Sequence, residues 1–366
     1  MLSRLVALWI IGIAAVAQGE ELSRIRLTPD RRGFEYEISG KPFTPIGFNY
    51  DHDEEGRLIE DYWDKEWEKI EQDFAEMRAL GANVVRVHLQ TPRFLTGPKQ
   101  PHPPALERLK KLLDLAEAER LYLDLTGLGC YHKQDVPAWY DDLSEAERWE
   151  AQGTFWEAVA RTCAESPAVF CYDLMNEPVV PGGKRSAGDW LGPPFGGKHF
   201  VQFITLSQEG RPRPEIAKAW IDTLVERVRR VDSRHLITVG LVDWSLDRPG
   251  LTSGFVPAQV SDKLDFLCVH LYPKAGELDQ ALEVLEGFAR VGKPVVIEET
   301  FLLQCTLKEF EQFIDRSTPR AAGIIGFYWG KPRSEYQKGT TIGDALMDQW
   351  LGWFEGYAKK RLEIRP

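Results

Sequence analysis

The chain has 366 residues, with 45 Lys and Arg against 56 Asp and Glu, a formal net charge of -11 and a pI near 5.3. That balance argues against nucleic acid as a partner, because phosphate contacts need clustered Lys and Arg and the sequence holds no such cluster. The length suits one large α/β barrel or two ordinary domains, and the 12 Trp fit a protein that stacks flat ligands on exposed rings as well as one that packs rings internally.

The chain opens with Met1, Leu2, Ser3 and Arg4 and then runs apolar over 5–17, the charged start and short apolar stretch of a secretory signal. That stretch is too short to span a bilayer comfortably. Small residues at Ala15 and Ala17 predict cleavage between Ala17 and Gly19, which divides the chain into a signal over 1–19 and one domain over 20–366. The mature protein is then secreted or periplasmic, with no membrane segment left after cleavage. Over 21–43, Phe34, Tyr36 and Ile38 alternate with Glu35 and Glu37 ahead of Gly40 and Lys41, which predicts a small hairpin closing a barrel floor.

From Phe43 onward, short β-branched runs alternate with longer amphipathic stretches, the rhythm of a parallel sheet with crossover helices. Strands are predicted at 45–49, 83–88, 122–126, 169–176, 236–241, 266–272, 294–299 and 323–329. Between them, 66–80 carries Trp67, Ile70, Phe74 and Met77 at helical spacing, and 214–231 carries Ile216, Trp220, Leu224 and Val228 likewise. Gly81 follows the first as a C-cap. Eight such units favour a closed (β/α)8 TIM barrel over an open doubly wound sheet, and no GxGxxG follows the first strand to suggest a dinucleotide. No repeat or long linker divides the chain. Residues 179–213, dense in Gly and Pro and carrying Trp190, Phe195, His199 and Phe200, project from the C-terminal face as a wall or lid over a cleft.

Cys130, Cys163, Cys171, Cys268 and Cys305 cannot all pair, and none sits in a metal-ligand spacing. Most are read as buried thiols, with one or two disulfides permitted by secretion.

Asn176 and Glu177 end the fourth strand, with Pro178 forcing a turn. Glu298 and Glu299 end the seventh, and alternation allows only one of them into the barrel mouth from a regular strand. Two carboxylates on different strands can flank a glycosidic bond, one protonated and one ionised. At this point the chain resembles glycoside hydrolase family 5 and its relatives in the retaining (β/α)8 clan A, over nearly all of its mature length. The resemblance makes Glu177 the acid/base and Glu299, reached by counting from Pro294, the nucleophile. It implies that Asn176 bonds the sugar 2-hydroxyl, that Arg86 stands beside the nucleophile, that His270 and Tyr272 form a His-x-Tyr pair, and that Trp329 is the platform under the reacting sugar. Arg86 has the fixed fork of donors that keeps a carboxylate ionised and aimed. In this register Glu298→Gln is mild and Glu299→Gln severe.

The third strand ends at Thr126 and Gly127, where many cellulase-like members carry a histidine, so His132 from the following loop is a candidate to fill that position. After Glu299 the chain reads Thr300 and Phe301, not the aromatic-Gly of many members. Asn49, Tyr50, Asp51, His52, His88, Gln90, Tyr131, Asp243 and Trp244 also fall at strand ends facing the mouth, with Asn49, His132 and Trp244 taken as substrate-binding. No cofactor is expected and no metal, since the first strand offers only Asp51, His52 and Asp53 where a metal-dependent barrel needs a tighter ligand set. The partner is a carbohydrate, met by a monomer. A non-catalytic binding barrel is the other reading, but Glu177, Glu299 and Arg86 are all present. The substrate expectation is a β-linked poly- or oligosaccharide, leaning to endo action on β-1,4-mannan or glucan, with exo action as the alternative if residues 179–213 close one end of the cleft.

Overall fold

The structure is a computed structural model that describes residues 22–248 and 250–363; the expected signal segment lies outside them. Eight parallel strands close a barrel in chain order: β1 (Ile46–Tyr50), β2 (Val84–Gln90), β3 (Tyr122–Gly129), β4 (Val169–Asn176), β5 (Leu236–Val242), β6 (Leu267–His270), β7 (Val295–Glu299) and β8 (Gly323–Gly326). β8 returns to β1 through Ile324 opposite Ile46. Predicted and observed strands coincide in number and order. They differ at their ends, most at the third, which runs on to Gly129 past residue 126, and at the eighth, which stops at Gly326 and not at residue 329.

Helices Trp67–Ala79 and Arg213–Arg229 lie where the spacing of Trp67, Ile70, Phe74 and Met77 and of Ile216, Trp220, Leu224 and Val228 places them, and all eight of those side chains are buried. Gly81 follows the first with φ 94, a conformation that glycine adopts without steric penalty. Among the described residues no helix is long and apolar enough to cross a membrane.

Two apolar clusters hold the molecule together. The larger lies between the strands and the surrounding helices. The smaller sits inside the barrel floor, where Phe34 meets Phe170 and Phe266 edge-on, each at 5.1 Å. Rings buried this way contribute about 1.5–3 kcal/mol each. The predicted N-terminal hairpin is a three-stranded antiparallel sheet, because Pro42–Phe43 pairs back onto Phe34–Tyr36 after the Gly40 turn while Ile25–Leu27 takes the other side. All five cysteines are free thiols. The floor thus carries stability, and the opposite rim is left for chemistry.

Candidate active site

β4 runs apolar from Val169 and ends at Asn176. A register shift against β5 between Thr238 and Gly240 lets both Asp173 and Asn176 turn inward. Glu177 follows with φ 48, a left-handed conformation uncommon for a side chain with a Cβ. It is pinned on both sides: its N–H donates to the Gly240 carbonyl at 3.0 Å, and its carbonyl accepts from Gln202 N at 3.3 Å. The carboxyl is thereby aimed into the mouth with 18% of its side chain exposed.

At the end of β7, Glu299 accepts from Arg86 Nη1 at 2.6 Å through Oε1 and from the Tyr272 hydroxyl at 2.8 Å through Oε2. Burial pushes its carboxyl above the ordinary range; His270 and Arg86 pull it down, and the charge of Glu177 pushes it further up. Arg86 is fully buried, and its fork holds four more partners: Asn49 at 2.8 Å, Asp173 at 2.7 Å, Asn176 at 3.0 Å and Glu298 at 3.4 Å. One guanidinium therefore fixes both strand ends that carry the glutamates. Gly240 is required beside it: a Cβ there would stand 2.9 Å from Arg86 Nη2 and 3.0 Å from His270 Nε2.

His270 joins the two halves. Its Nδ1 lies 3.0 Å from Glu177 Oε1 and its Nε2 lies 3.3 Å from Glu298 Oε2. Burial alone would lower the imidazole, but the charges of Glu299, Glu177 and Glu298 more than offset it and hold the pKa up at about 10. At neutral pH both nitrogens therefore donate.

Glu298 and Glu299 both turn toward the barrel axis, at different depths, because the β6–β7 register shifts between Val269 and His270. Only Glu299 reaches the mouth, as expected; the bulge turns Glu298 inward beneath it, which a regular strand would not do. Glu298 has no exposure; burial opposes its charge, but Arg86 and His270 hold its carboxyl down at about 2. Asp124 and Asp173 bring oxygens within 4.8 Å of it. Burial and the charge of Glu298 push the Asp124 carboxyl well above its ordinary value.

This depth changes what Glu298→Gln should do. A histidine whose folded pKa is raised stabilises fully below its unfolded value and loses that contribution as pH rises through the folded one. A carboxylate with a depressed pKa does the reverse, stabilising above its unfolded value. The Glu298–His270 pair is thus fully effective between the ordinary values of 4.5 and 6.5. Glu298→Gln should lower the His270 pKa, seen in the imidazole NMR titration. The stability gap to wild type should be widest in that window and narrow toward pH 10 as His270 loses its proton, leaving the part due to Arg86. A gap independent of pH would contradict the pairing.

The other sequence-predicted residues separate by position. Asn49 is fully buried and committed: its amide donates to the Glu298 carbonyl at 2.9 Å and its oxygen accepts from Arg86 and from His88 Nε2 at 3.1 Å. It positions Arg86 from one layer below the mouth and is not a substrate contact. His88 in turn meets the Tyr131 hydroxyl at 2.5 Å. Asn176 is 2% exposed, with Oδ1 on Arg86 and Nδ2 on the Phe200 carbonyl at 3.1 Å. Trp329 is corrected as the platform: it is fully buried, edge-on to Phe48 at 5.5 Å, because the strand ends at Gly326 and alternation no longer governs it. Phe327 lies in the mouth in its place, with Tyr272 at 6.3 Å and Tyr328 at 5.3 Å. His132 caps the turn Lys133–Asp135 and does not line the cavity, and Trp244 stands half-buried on the turn Asp243–Ser245, also outside its walls.

Residues 179–213 are tied down along their length. Pro178–Val179 pairs with Gln202–Phe203, Trp190 Nε1 donates to the Asp141 carbonyl at 3.0 Å, and His199 N donates to the Tyr131 carbonyl at 2.9 Å. Their tip is a tight hairpin in which Phe195 and Lys198 exchange backbone bonds across Gly196 (φ 56) and Gly197 (φ 79), a turn that needs positive φ at both positions. Lys198 reaches across the mouth to the loop after β1, its Nζ 3.1 Å from where a Cβ on Gly56 would stand. A cavity of about 400 Å³ remains, with Glu177 and Glu299 in its wall together with His52, Tyr272, Phe327 and Tyr328.

A family model described as Cellulase (glycosyl hydrolase family 5) matches residues 36–330. Among curated proteins, none matches the chain in sequence. Solved structures share the fold. An exo-β-1,4-mannosidase from Opitutaceae bacterium strain TAV5 is 17% identical with a TM-score of 0.65, the match covering 93% of this chain and 63% of that one. The chain thus spans under two thirds of that protein's length. A subfamily 18 family 5 protein from Streptomyces cattleya, solved with Manβ1-4GlcNAc, is 17% identical with a TM-score of 0.58, covering 79% of this chain and 71% of that one. A β-1,4-mannanase from the sea hare Aplysia kurodai is 15% identical with a TM-score of 0.56, covering 83% and 92%.

Proposed function

This chain belongs to glycosyl hydrolase family 5, and on that premise we propose that it is a glycoside hydrolase, a secreted, retaining β-glycosidase that removes a terminal sugar. The observation that carries the reading is the carboxylate pair: Glu177 and Glu299 present oxygens within 4.8 Å of one another, bridged by His270. Retaining pairs stand about 5–5.5 Å apart and inverting pairs about 6.5–9.5 Å, so the close approach of these oxygens supports double displacement.

In the first step Glu299, oriented by Arg86 and Tyr272, attacks the anomeric carbon while Glu177 gives its proton to the departing oxygen. The glycosidic bond breaks as the Glu299–sugar ester forms. Glu177, now ionised, takes a proton from water, whose oxygen attacks the same carbon and releases Glu299. His270, donating to Glu177 Oε1, holds that carboxyl in place through both steps.

The sequence leans to endo action; the loop supports exo. A polysaccharide chain running through the site needs both ends of the cleft open, and the arch from Pro178–Val179 to Lys198 crosses the mouth to Gly56. Likeness to proteins described as an exo-β-1,4-mannosidase and as a complex with Manβ1-4GlcNAc makes a terminal β-mannoside the first sugar to try. Incubation with β-1,4-linked manno- and gluco-oligosaccharides should release single sugars from the start. A rapid fall in mannan viscosity with little monosaccharide would reverse the exo assignment. Secretion rests on residues 1–19, and Edman sequencing of the exported protein should begin just after Ala17 to Gly19.

A further inference from the structure

The cavity that holds Glu177 and Glu299 is lined mostly by carbon. Its polar groups are the two glutamates, the Tyr272 and Tyr328 hydroxyls, His52 and Lys198. The remaining wall is built from Phe195, Phe200, Val201, Phe301, Leu303 and the ring of Tyr328, contributed by the loops after β4, β7 and β8. Two of these stand at the lip in contact with water: Phe195 is 70% and Leu303 55% exposed, among only five large apolar side chains that are exposed in the described residues.

A second sugar bound against such a wall would leave hydroxyls without partners, and each desolvated hydroxyl left unpaired costs about 1–3 kcal/mol. Aromatic faces do stack on sugar rings, but Val201 and Leu303 offer neither a flat face nor a hydrogen bond. An alkyl or fused-ring group, by contrast, gains from every part of this surface. Exposed apolar clusters beside a functional site mark a binding surface.

We propose that the aglycone side of the site takes an apolar group, so that the substrate is an amphiphilic β-glycoside: one sugar linked to an alkyl, terpenoid-like or lipid body. This rests on the glycosidase reading above and names the substrate class for the same site. Its chemistry adds nothing to the reaction, in which Glu177 protonates the alcohol oxygen of the aglycone exactly as it would a sugar oxygen and the alcohol leaves neutral.

The test is a ladder of methyl, butyl and octyl β-mannosides and β-glucosides, kept below their micelle concentrations, alongside the β-1,4-linked disaccharides. The alkyl alcohols leave with similar basicity, so differences report binding of the chain. The value of kcat/KM should rise by at least about tenfold from methyl to octyl, given about fourfold for each fully buried methylene, and should exceed that for the disaccharide. The Phe195→Ser/Leu303→Ser double variant, altered only at exposed positions, should flatten the rise while its unfolding temperature stays near wild type.

A flat ladder, or a disaccharide preferred over the octyl glycoside, overturns the proposal while leaving the glycosidase intact. The same ladder is read as binding to Glu299→Gln protein by calorimetry. If no glycoside is cut yet the octyl compound binds at least tenfold more tightly than the methyl one, the apolar subsite stands and the reaction is wrong. A final arm presents a β-glycosyl lipid in phosphatidylcholine vesicles. Cleavage there as well as in solution supports a membrane glycolipid as the source, and cleavage of the free glycoside alone supports a soluble one.

Discussion

Glu299→Gln should lower kcat/KM by about 10⁴-fold or more, the range seen when a residue that forms the covalent intermediate is removed. The amide keeps the shape of the carboxylate but lacks the charge that attacks. Arg86 retains Asn49, Asp173, Asn176 and Glu298 as partners, so the fold should survive, and an unfolding temperature near that of wild type separates lost chemistry from lost structure. The wild-type profile should carry the same signature. Because burial raises the Glu299 carboxyl above its ordinary value of 4.5, the nucleophile loses its charge, and the enzyme its activity, on an acid limb lying above that value. Full activity persisting well below it would contradict the assignment.

Glu177→Ala should behave differently. General acid catalysis contributes about 10²–10⁴-fold, and most of it is needed only when the leaving group is a poor one. Activity on an alkyl glycoside should therefore fall by that range, whereas an activated aryl glycoside should still lose its phenol in the first step and stall at the glycosyl-enzyme. Azide, which needs no general base, should then restore turnover and appear in the product as a glycosyl azide with retained configuration. Equal loss on both substrates, or no response to azide, would mean that Glu177 acts in some other way.

Much of the fold and of this pair is legible in the sequence, for a physical reason. A parallel barrel buries both faces of its strands, so polar residues such as Asn176, Glu177 and Glu299 at the ends of apolar runs have only the mouth to occupy. Arg86, His270 and Tyr272 stand out in the same way, and the structure brings all of them to within hydrogen-bonding reach of the two glutamates. Depth is what the pattern does not carry. Asn49 sits one layer too low to touch a ligand, and Glu298 is drawn inward by a bulge that no local motif announces. Trp329 was the expected platform because the eighth strand reads as continuous to that point; its pairing ends at Gly326, and Phe327 stands in the mouth.

Asp124 and Asp173 do have a signal that the reading of strand ends passes over. Each is a lone acidic residue in the middle of an otherwise apolar strand, and Asp173 is tolerated there by its buried ion pair with Arg86. The reach of residues 179–213 across the mouth, by contrast, depends on contacts with the loops after β1 and β3, which are distant in sequence and carry no spacing to read.

The central claim is that Glu299 forms the covalent bond to the sugar. Incubating the protein with an activated 2-deoxy-2-fluoro-β-glycoside slows the release step, and peptide mapping by mass spectrometry then locates the trapped sugar. The expected result is stoichiometric labelling at Glu299, with none in the Glu299→Gln protein. A label on Glu298 or Glu177, or continued turnover of ordinary substrate with no label anywhere, would contradict it.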